Sequence, residues 1–177
     1  MDEKIDVVFN TVIPPGLGPF IKQLYEAGFL KKGGRLSCVY YDENALNFNA
    51  AEEMEGLASC LDYFQNIDDP FSAKLQAAYQ KIHAHKDKVL FTAGSGSTGM
   101  YRGVKLWEAA VKEAGAVDRD SVAAALDHAK IANGPGGPSK MVPGTYHCQM
   151  NMYIAVAKAG KYEIIDKADQ VHPKECG

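Results

Sequence analysis

The fold is decided by residues 5–13, which read Ile-Asp-Val-Val-Phe-Asn-Thr-Val-Ile. This run is rich in β-branched residues and nearly continuous in apolar character, which is typical of a strand buried on both faces of a parallel sheet. A Pro-Pro-Gly turn at 14–16 ends the strand, and Pro19 opens a segment of helical spacing that reaches Gly28. The sequence therefore predicts a strand followed directly by a helix.

Strands and helices continue to alternate over the first three quarters of the chain, which predicts an α/β fold. In the helix that follows residue 99, Val104, Trp107, Val111 and Ala114 recur at helical spacing and are predicted to be its buried stripe. A Gly-Pro-Gly-Gly-Pro break at 134–138 precedes a different pattern. The predicted elements are strands at 5–13, 35–41, 56–64 and 88–93, helices from Pro19, Asp69, residue 100 and Asp120, and an antiparallel hairpin of 150–157 and 161–165.

The composition excludes several classes of protein. The 177 residues are 46% hydrophobic and 23% charged, which are ordinary values for a globular domain and exclude a disordered, collagenous or coiled-coil chain. The net charge of −3 lacks the basic excess that nucleic-acid binding needs. No apolar run approaches the roughly 20 residues that span a bilayer. The charged residues 1–4 lead directly into the first strand, so we expect no signal peptide in this sequence.

A glycine motif at residues 94–99 reads Gly-Ser-Gly-Ser-Thr-Gly and fits the G-x-G-x-x-G pattern of dinucleotide-binding turns. That fingerprint also needs a second strand ending in Asp or Glu about 20 residues further on, whereas residues 113–120 predict a helix end and a cap. We therefore predict a flexible strand-to-helix turn between Gly94 and Gly99. A nucleotide-dependent enzyme that uses this loop is the alternative.

The other chemically active residue types form no recognisable catalytic or metal-binding pattern. His83 and His85 are two positions apart on a predicted helix and face different ways, which does not suit a metal. The G-x-S-x-G nucleophile elbow is absent, and no two cysteines have Cys-x-x-Cys spacing. The sequence predicts no catalytic residue, no metal, no cofactor and no enzyme. Disulfides in an exported protein and reduced, mostly buried thiols both remain open for Cys38, Cys60, Cys148 and Cys176.

Polar residues follow two of the predicted strands where each strand ends. Residues 10–13 end the first strand, and residues 40–44, Tyr-Tyr-Asp-Glu-Asn, end the second. In open α/β sheets, ligands bind beyond the carboxyl ends of strands. These hydroxyl, phenol and carboxylate groups would suit a small polar ligand with N–H donors, and a solvated loop at residues 42–44 is the alternative.

The order of several motifs resembles a known family, the type I periplasmic binding proteins of ABC transporters, and within it the amide, urea and branched-chain amino acid group. The similarity covers nearly all 177 residues, although members are about twice as long and have two α/β lobes. The resemblance therefore implies a C-terminal half only. The matching motifs are Asp6-Val7-Val8-Phe9-Asn10-Thr11-Val12, Ala27-Gly28, Tyr41-Asp42-Glu43, Asp62-Tyr63-Phe64, Asp69-Pro70-Phe71, Met100-Tyr101-Arg102, Leu106-Trp107, Gly134-Pro135-Gly136-Gly137-Pro138 and His147.

This resemblance implies a fold and a division of the chain. The fold is a Rossmann-like parallel-sheet lobe with a C-terminal antiparallel β-hairpin. Residues 1–64 would be the second-lobe α/β segment, and residues 65–130 would return to the first lobe and the hinge. Residues 131–177 would form the hinge crossing, the hairpin and the tail. We expect such a half to expose apolar surface that its partner lobe covers, and the resemblance allows a disulfide between Cys38 and Cys60.

The resemblance also implies a function. The chain would be the solute-binding component of an ABC importer, closing about a hinge on a small amide, urea or amino acid in the periplasm. Its partners would be the solute, a membrane permease, and either the missing N-terminal half or another copy of the chain, with no nucleic acid. Asp42 or Glu43 would accept an N–H from the solute. A cytoplasmic amide-sensing regulator of the same fold is the alternative. The implied ligand-binding residues are Thr11, Val12, Ile13, Tyr41, Asp42 and Glu43.

Overall fold

The computed structural model describes residues 4–13, 15–83 and 92–174. Most of the strand predicted at 88–93 lies outside these ranges, as do His85 and Cys176. The strands are β1 (Val7–Asn10), β2 (Arg35–Cys38), β3 (Ala58–Leu61), β4 (Lys130–Ile131), β5 (Ser139–Val142), β6 (His147–Lys158) and β7 (Lys161–Val171). The helices are α1 (Leu17–Glu26), α2 (Ala51–Met54), α3 (Pro70–Ile82), α4 (Ser95–Ala114) and α5 (Arg119–Leu126), with a 3-10 turn at Ala45–Phe48.

Within the described ranges the strands form one mixed sheet of seven strands. β1, β2 and β3 are parallel neighbours, and β3 then pairs antiparallel with the second half of β6. The first half of β6 pairs with β5, which pairs with β4, and β7 pairs with β6 as a long hairpin. The predicted α/β class, with a parallel sheet and an antiparallel C-terminal hairpin, is confirmed.

The larger core lies under β1–β3 and the second half of β6. Leu17 and Ile21 give α1 its buried face, because they are four positions apart on one side of the helix. Tyr162 of β7 closes this core: its ring lies 5.0 Å from that of Phe64, and its hydroxyl donates to the carbonyl oxygen of Tyr41 at 2.7 Å. The hairpin is therefore bound to the loop that follows β2.

A smaller core lies between α4, α5, β4 and β5. Its buried members from α4 are Leu106 and Ala110, which pack against α5. The predicted stripe is confirmed for Val111 and Ala114, which pack against this core. It was wrong for Val104 and Trp107, which are 54% and 53% exposed. Helix α4 carries two apolar stripes, and only one of them meets another element among the described residues.

Strand β1 is an edge strand with one bare face. Val7 is 61% exposed and Phe9 is 66% exposed, so the prediction that this strand is buried on both faces was wrong for this chain. Asn10, at its end, is buried and donates to the sulfur of Cys38. Together with the stripe on α4, β1 provides the exposed apolar surface that a single lobe was expected to show.

Three local predictions also need correction. The segment after Gly94 is not a loop, because α4 begins at Ser95. The cap of α5 is Asp118, whose carboxylate accepts the N–H of Ser121 at 3.0 Å, rather than Asp120. Cys38, Cys60 and Cys148 are free thiols. Cys38 lies opposite Ser59 across the β2–β3 ladder, so Cys60 points to the other face of the sheet and cannot pair with it.

No helix in the described ranges has the length and apolar character needed to cross a membrane.

Candidate functional site

A cavity of about 720 Å³ opens at the carboxyl ends of the parallel strands. Ile13 follows β1, residues 40–45 follow β2, Asp62 follows β3, and the first turns of α4 close the other side. This is the edge at which open α/β sheets bind ligands. We call this cavity the cleft. Its lining residues are Ile13, Tyr40, Asp42, Asn44, Ala45, Phe48, Leu61, Asp62, Ser95, Gly96, Gly99 and Met100.

Asp42 joins the loop after β2 to the start of α4. One carboxylate oxygen accepts the N–H groups of Asn44 at 3.0 Å and Ala45 at 3.3 Å, and the other accepts the N–H of Ser95 at 3.0 Å. Gly94 permits this approach, because a Cβ there would overlap the Asp42 carboxylate. Both oxygens of Asp42 are therefore already bonded to the backbone.

Glu43 turns away from the cleft into the protein. One oxygen accepts the N–H of Gln65 at 2.8 Å, and the other is buried and has no hydrogen-bond partner among the described residues. The pKa of the Glu43 carboxyl is raised from its usual 4.5 to about 7. Burial is the main cause and the negative charge of Asp42 adds to it, while hydrogen bonds from the backbone oppose the shift. Glu43 is thus a buried acid that changes charge near neutral pH.

We expect Glu43→Gln to stabilise the protein at pH 8 by about 2 kcal/mol, because glutamine stays neutral at a buried position where the wild-type carboxyl is ionised at that pH. Because the folded-state pKa is raised, the native protein holds a proton that the unfolded chain has lost, so stability is full below about pH 4.5 and falls as the pH rises towards 7. Urea unfolding of both proteins from pH 4 to 8 measures the difference. The exposed change Glu52→Gln is the control, and parallel pH curves for wild type and Glu43→Gln would contradict the prediction.

The structure brings only part of the predicted site to the cleft. Ile13 and Asp42 line it, whereas Thr11 and Val12 are exposed outside its lining. Tyr41 is fully buried in the larger core, where its hydroxyl donates to the side-chain oxygen of Asn49 at 2.9 Å. The preceding residue, Tyr40, is the one that lines the cleft.

Sequence reasoning missed a buried ion pair beside the cleft. Nη1 of Arg102 lies 2.5 Å from Oδ2 of Asp62, and Nη2 donates to the carbonyl oxygen of Pro135 at 2.8 Å. Arg102 is 4% exposed. The signal was a charged residue four positions after Thr98 and four before Leu106, on the buried face of α4. A charge at such a position predicts a buried partner, although the sequence does not say which one.

The glycine motif serves the cleft and does not have the packing of a dinucleotide fingerprint. The third glycine of that fingerprint allows close packing between helix and strand. Among the described residues, a Cβ at Gly96 or Gly99 would meet no atom within 4 Å, and both glycines line the cleft. The chain then continues as α4 to Ala114, without the second strand that the fingerprint requires. In the described ranges, no group of three His, Cys, Asp or Glu side chains could hold a metal ion.

Comparison with known proteins identifies the family. Residues 1–161 match the family model described as periplasmic binding protein. The chain belongs to the periplasmic binding protein family. This confirms the resemblance found in the sequence, and membership agrees with the prediction that the chain is not an enzyme. Among curated proteins, none matches the chain.

Several solved solute-binding proteins share the fold. A solute-binding protein of an ABC transporter from Rhodopseudomonas palustris BisB5, in complex with 3,4-dihydroxybenzoic acid, is 27% identical with a TM-score of 0.77 over 94% of this chain and 46% of that one. The leucine-binding protein LivK of Thermotoga maritima MSB8 is 17% identical, with a TM-score of 0.75 over 93% and 45%. A benzoate complex of a solute-binding protein from R. palustris is 20% identical, with a TM-score of 0.75 over 96% and 45%. The chain therefore spans less than half the length of these neighbours.

Proposed function

We propose that this chain is the C-terminal half of the solute-binding component of an ABC importer, and that its cleft binds a small amide, urea or amino acid. The observation that carries the proposal is the cleft itself, which lies at the strand ends of a periplasmic binding protein lobe and opens to solvent. In this proposal the protein functions in the periplasm, and its partners are the solute and a membrane permease.

The chemistry of the cleft favours solutes that donate hydrogen bonds. Its described lining residues include the carboxylates of Asp42 and Asp62 and no Lys or Arg. Carboxylates are acceptors only, so they suit N–H groups and disfavour another carboxylate. Ile13 and Met100 add apolar surface, which would hold the body of a small solute.

An aromatic carboxylic acid is a second candidate for the solute. Tyr40 is 64% exposed and Phe48 is 59% exposed at the cleft, where either ring could stack on an aromatic solute. The 27% identical neighbour was solved with 3,4-dihydroxybenzoic acid. In this case we expect the carboxylate of the solute to be held by the opposite lobe.

The exposed apolar surfaces support the proposal that a second half covers them in the complete protein. Met100 lines the cleft, and Val104 and Trp107 continue the same bare stripe along α4. A first lobe like that of the longer neighbours would cover this stripe and close on the solute about the hinge. A second copy of the chain is the other possible cover, and light scattering would reveal it as a dimer.

Calorimetry and thermal shift with a defined panel test this function. The panel is acetamide, urea, L-leucine, benzoate and NAD(H), because a ligand that binds only the native state raises the melting temperature. We expect a shift with at least one of the first four solutes. Binding of NAD(H) alone, or of nothing, would contradict the proposal.

A matched pair of variants locates the binding. Gly99→Leu would fill the cleft from α4, whereas Gly103→Leu, one turn further along, places the same side chain outside the lining. Neither glycine has a positive φ, and neither Cβ would meet a described atom within 4 Å. We expect Gly99→Leu to weaken solute binding at least tenfold and Gly103→Leu to leave it unchanged. Equal affinities in the two variants would remove the cleft as the site.

A further inference from the structure

The two carboxylates of the cleft differ in what they leave free. Both oxygens of Asp42 accept backbone N–H groups. Asp62 is bonded to Arg102 through Oδ2 alone, and its other oxygen, Oδ1, receives no hydrogen bond from the residues that the structure describes. The Asp62 side chain is 18% exposed, and it lines the cleft. It therefore has an acceptor available to a solute.

Arg102 holds this carboxylate in a fixed place. Its guanidinium is buried, with Nη1 on Asp62 and Nη2 on the carbonyl oxygen of Pro135. The loop that carries Pro135 is held in turn, because the Asn151 amide and the Tyr153 hydroxyl both donate to the carbonyl oxygen of Gly136, at 3.1 Å and 2.9 Å. A planar guanidinium with two fixed bonds leaves Asp62 little freedom to rotate.

We propose that Asp62 is the hydrogen-bond acceptor that selects solutes with an N–H donor, and that Arg102 is its positioning residue. This inference rests on the proposed function of the cleft. An amide or ammonium N–H donates to Oδ1 of Asp62 in a charge-assisted bond. A carboxylate at the same place has no proton to donate, and it leaves two acceptors facing each other without water. Asp62 therefore discriminates between an amide and the acid of the same shape.

Two matched pairs of probes test this selectivity: benzamide with benzoate, and acetamide with acetate. Calorimetry on the whole chain at pH 7.5 gives the affinity of each. We expect the wild-type protein to bind one of the amides at least tenfold more tightly than its acid. We expect Asp62→Asn to bring that ratio below threefold, because an asparagine amide can donate to a carboxylate. The exposed change Asp68→Asn is the control and should keep the wild-type ratio.

Arg102→Lys tests the positioning role through the ratio of amide to acid affinity, which a change in stability alone would not alter. Lysine keeps the charge but lacks the planar fork, so we expect the amide-to-acid ratio to fall at least threefold in a protein that still melts cooperatively. If Asp62→Asn does not fold, the amide-to-acid affinity ratio of Arg102→Lys decides whether the inference holds. An unchanged ratio in a folded variant overturns the inference, as does a wild-type protein that binds neither amide or prefers both acids. Either result leaves the proposed function standing if the protein binds another solute of the panel, whereas binding of no solute overturns both.

Discussion

Arg102→Met is expected to lower the free energy of unfolding by about 3 kcal/mol, because it leaves the carboxylate of Asp62 and the carbonyl oxygen of Pro135 without their donor. Methionine fills a similar volume, so the loss comes from unpaired buried groups and not from a cavity. The effect is large because Arg102 joins three separate parts of the chain: α4, the end of β3 and the loop before β5.

Urea unfolding at pH 7 measures this difference. Arg119→Met is the matched control, because Arg119 is an exposed arginine whose only described ion pair, with the adjacent Asp120, lies on the surface. We expect a change below about 0.5 kcal/mol there. The double variant Arg102→Met with Asp62→Leu removes both charges and should recover most of the lost stability. A loss in Arg102→Met no larger than that of the control would show that the ion pair contributes nothing.

Gly136→Ala is expected to have the second large effect and to lower the free energy of unfolding by about 3 kcal/mol. The φ of Gly136 is +78°, where an alanine is strained by about 1–2 kcal/mol. A Cβ would also overlap the carbonyl oxygen of Asp62. This overlap adds about 1–3 kcal/mol to the loss, because a backbone oxygen cannot rotate away as a side chain could.

Gly144→Ala separates these two causes. The φ of Gly144 is +75°, almost the same value, but a Cβ there would meet no described atom within 4 Å. We expect Gly144→Ala to lose only the conformational part, about 1 kcal/mol. Denaturant unfolding of both variants gives the comparison, and equal losses would show that the crowding at Gly136 is relieved by movement of the loop.

Local patterns predicted most of the elements, but not α2, β4 or β5, and not what covers each element. The apolar run at residues 5–13 correctly gave a strand of a parallel sheet, and Ala159-Gly160 correctly gave the turn of the hairpin. The stripe on α4 failed for a physical reason. Helical spacing shows that Val104 and Trp107 share a face, but it does not show whether another element packs on that face.

The position of the candidate site was predictable from the sequence, whereas its set of side chains was not. Strand ends pointed to Ile13 and Asp42, and both line the cleft. Tyr40 and Tyr41 follow the end of β2, where the chain bends, and the sequence does not fix which of the two faces the cleft. Asp62 and Arg102 are 40 positions apart, and only the packing of α4 against the end of β3 brings them together.

Strand β6 pairs with different neighbours along its length. Residues 147–150 pair with β5 beside the smaller core, and residues 153–156 pair with β3 beside the larger one. The ladder to β7 is irregular between Met150 and Met152 and again between Ile154 and Ala155. Asn151 lies within the first of these irregularities. Its side-chain amide donates to the carbonyl oxygen of Gly136, and its side-chain oxygen accepts the backbone N–H of Gln170. We therefore expect the pairing of β6 with β3 to survive loss of the smaller core, because that pairing lies beside the larger core.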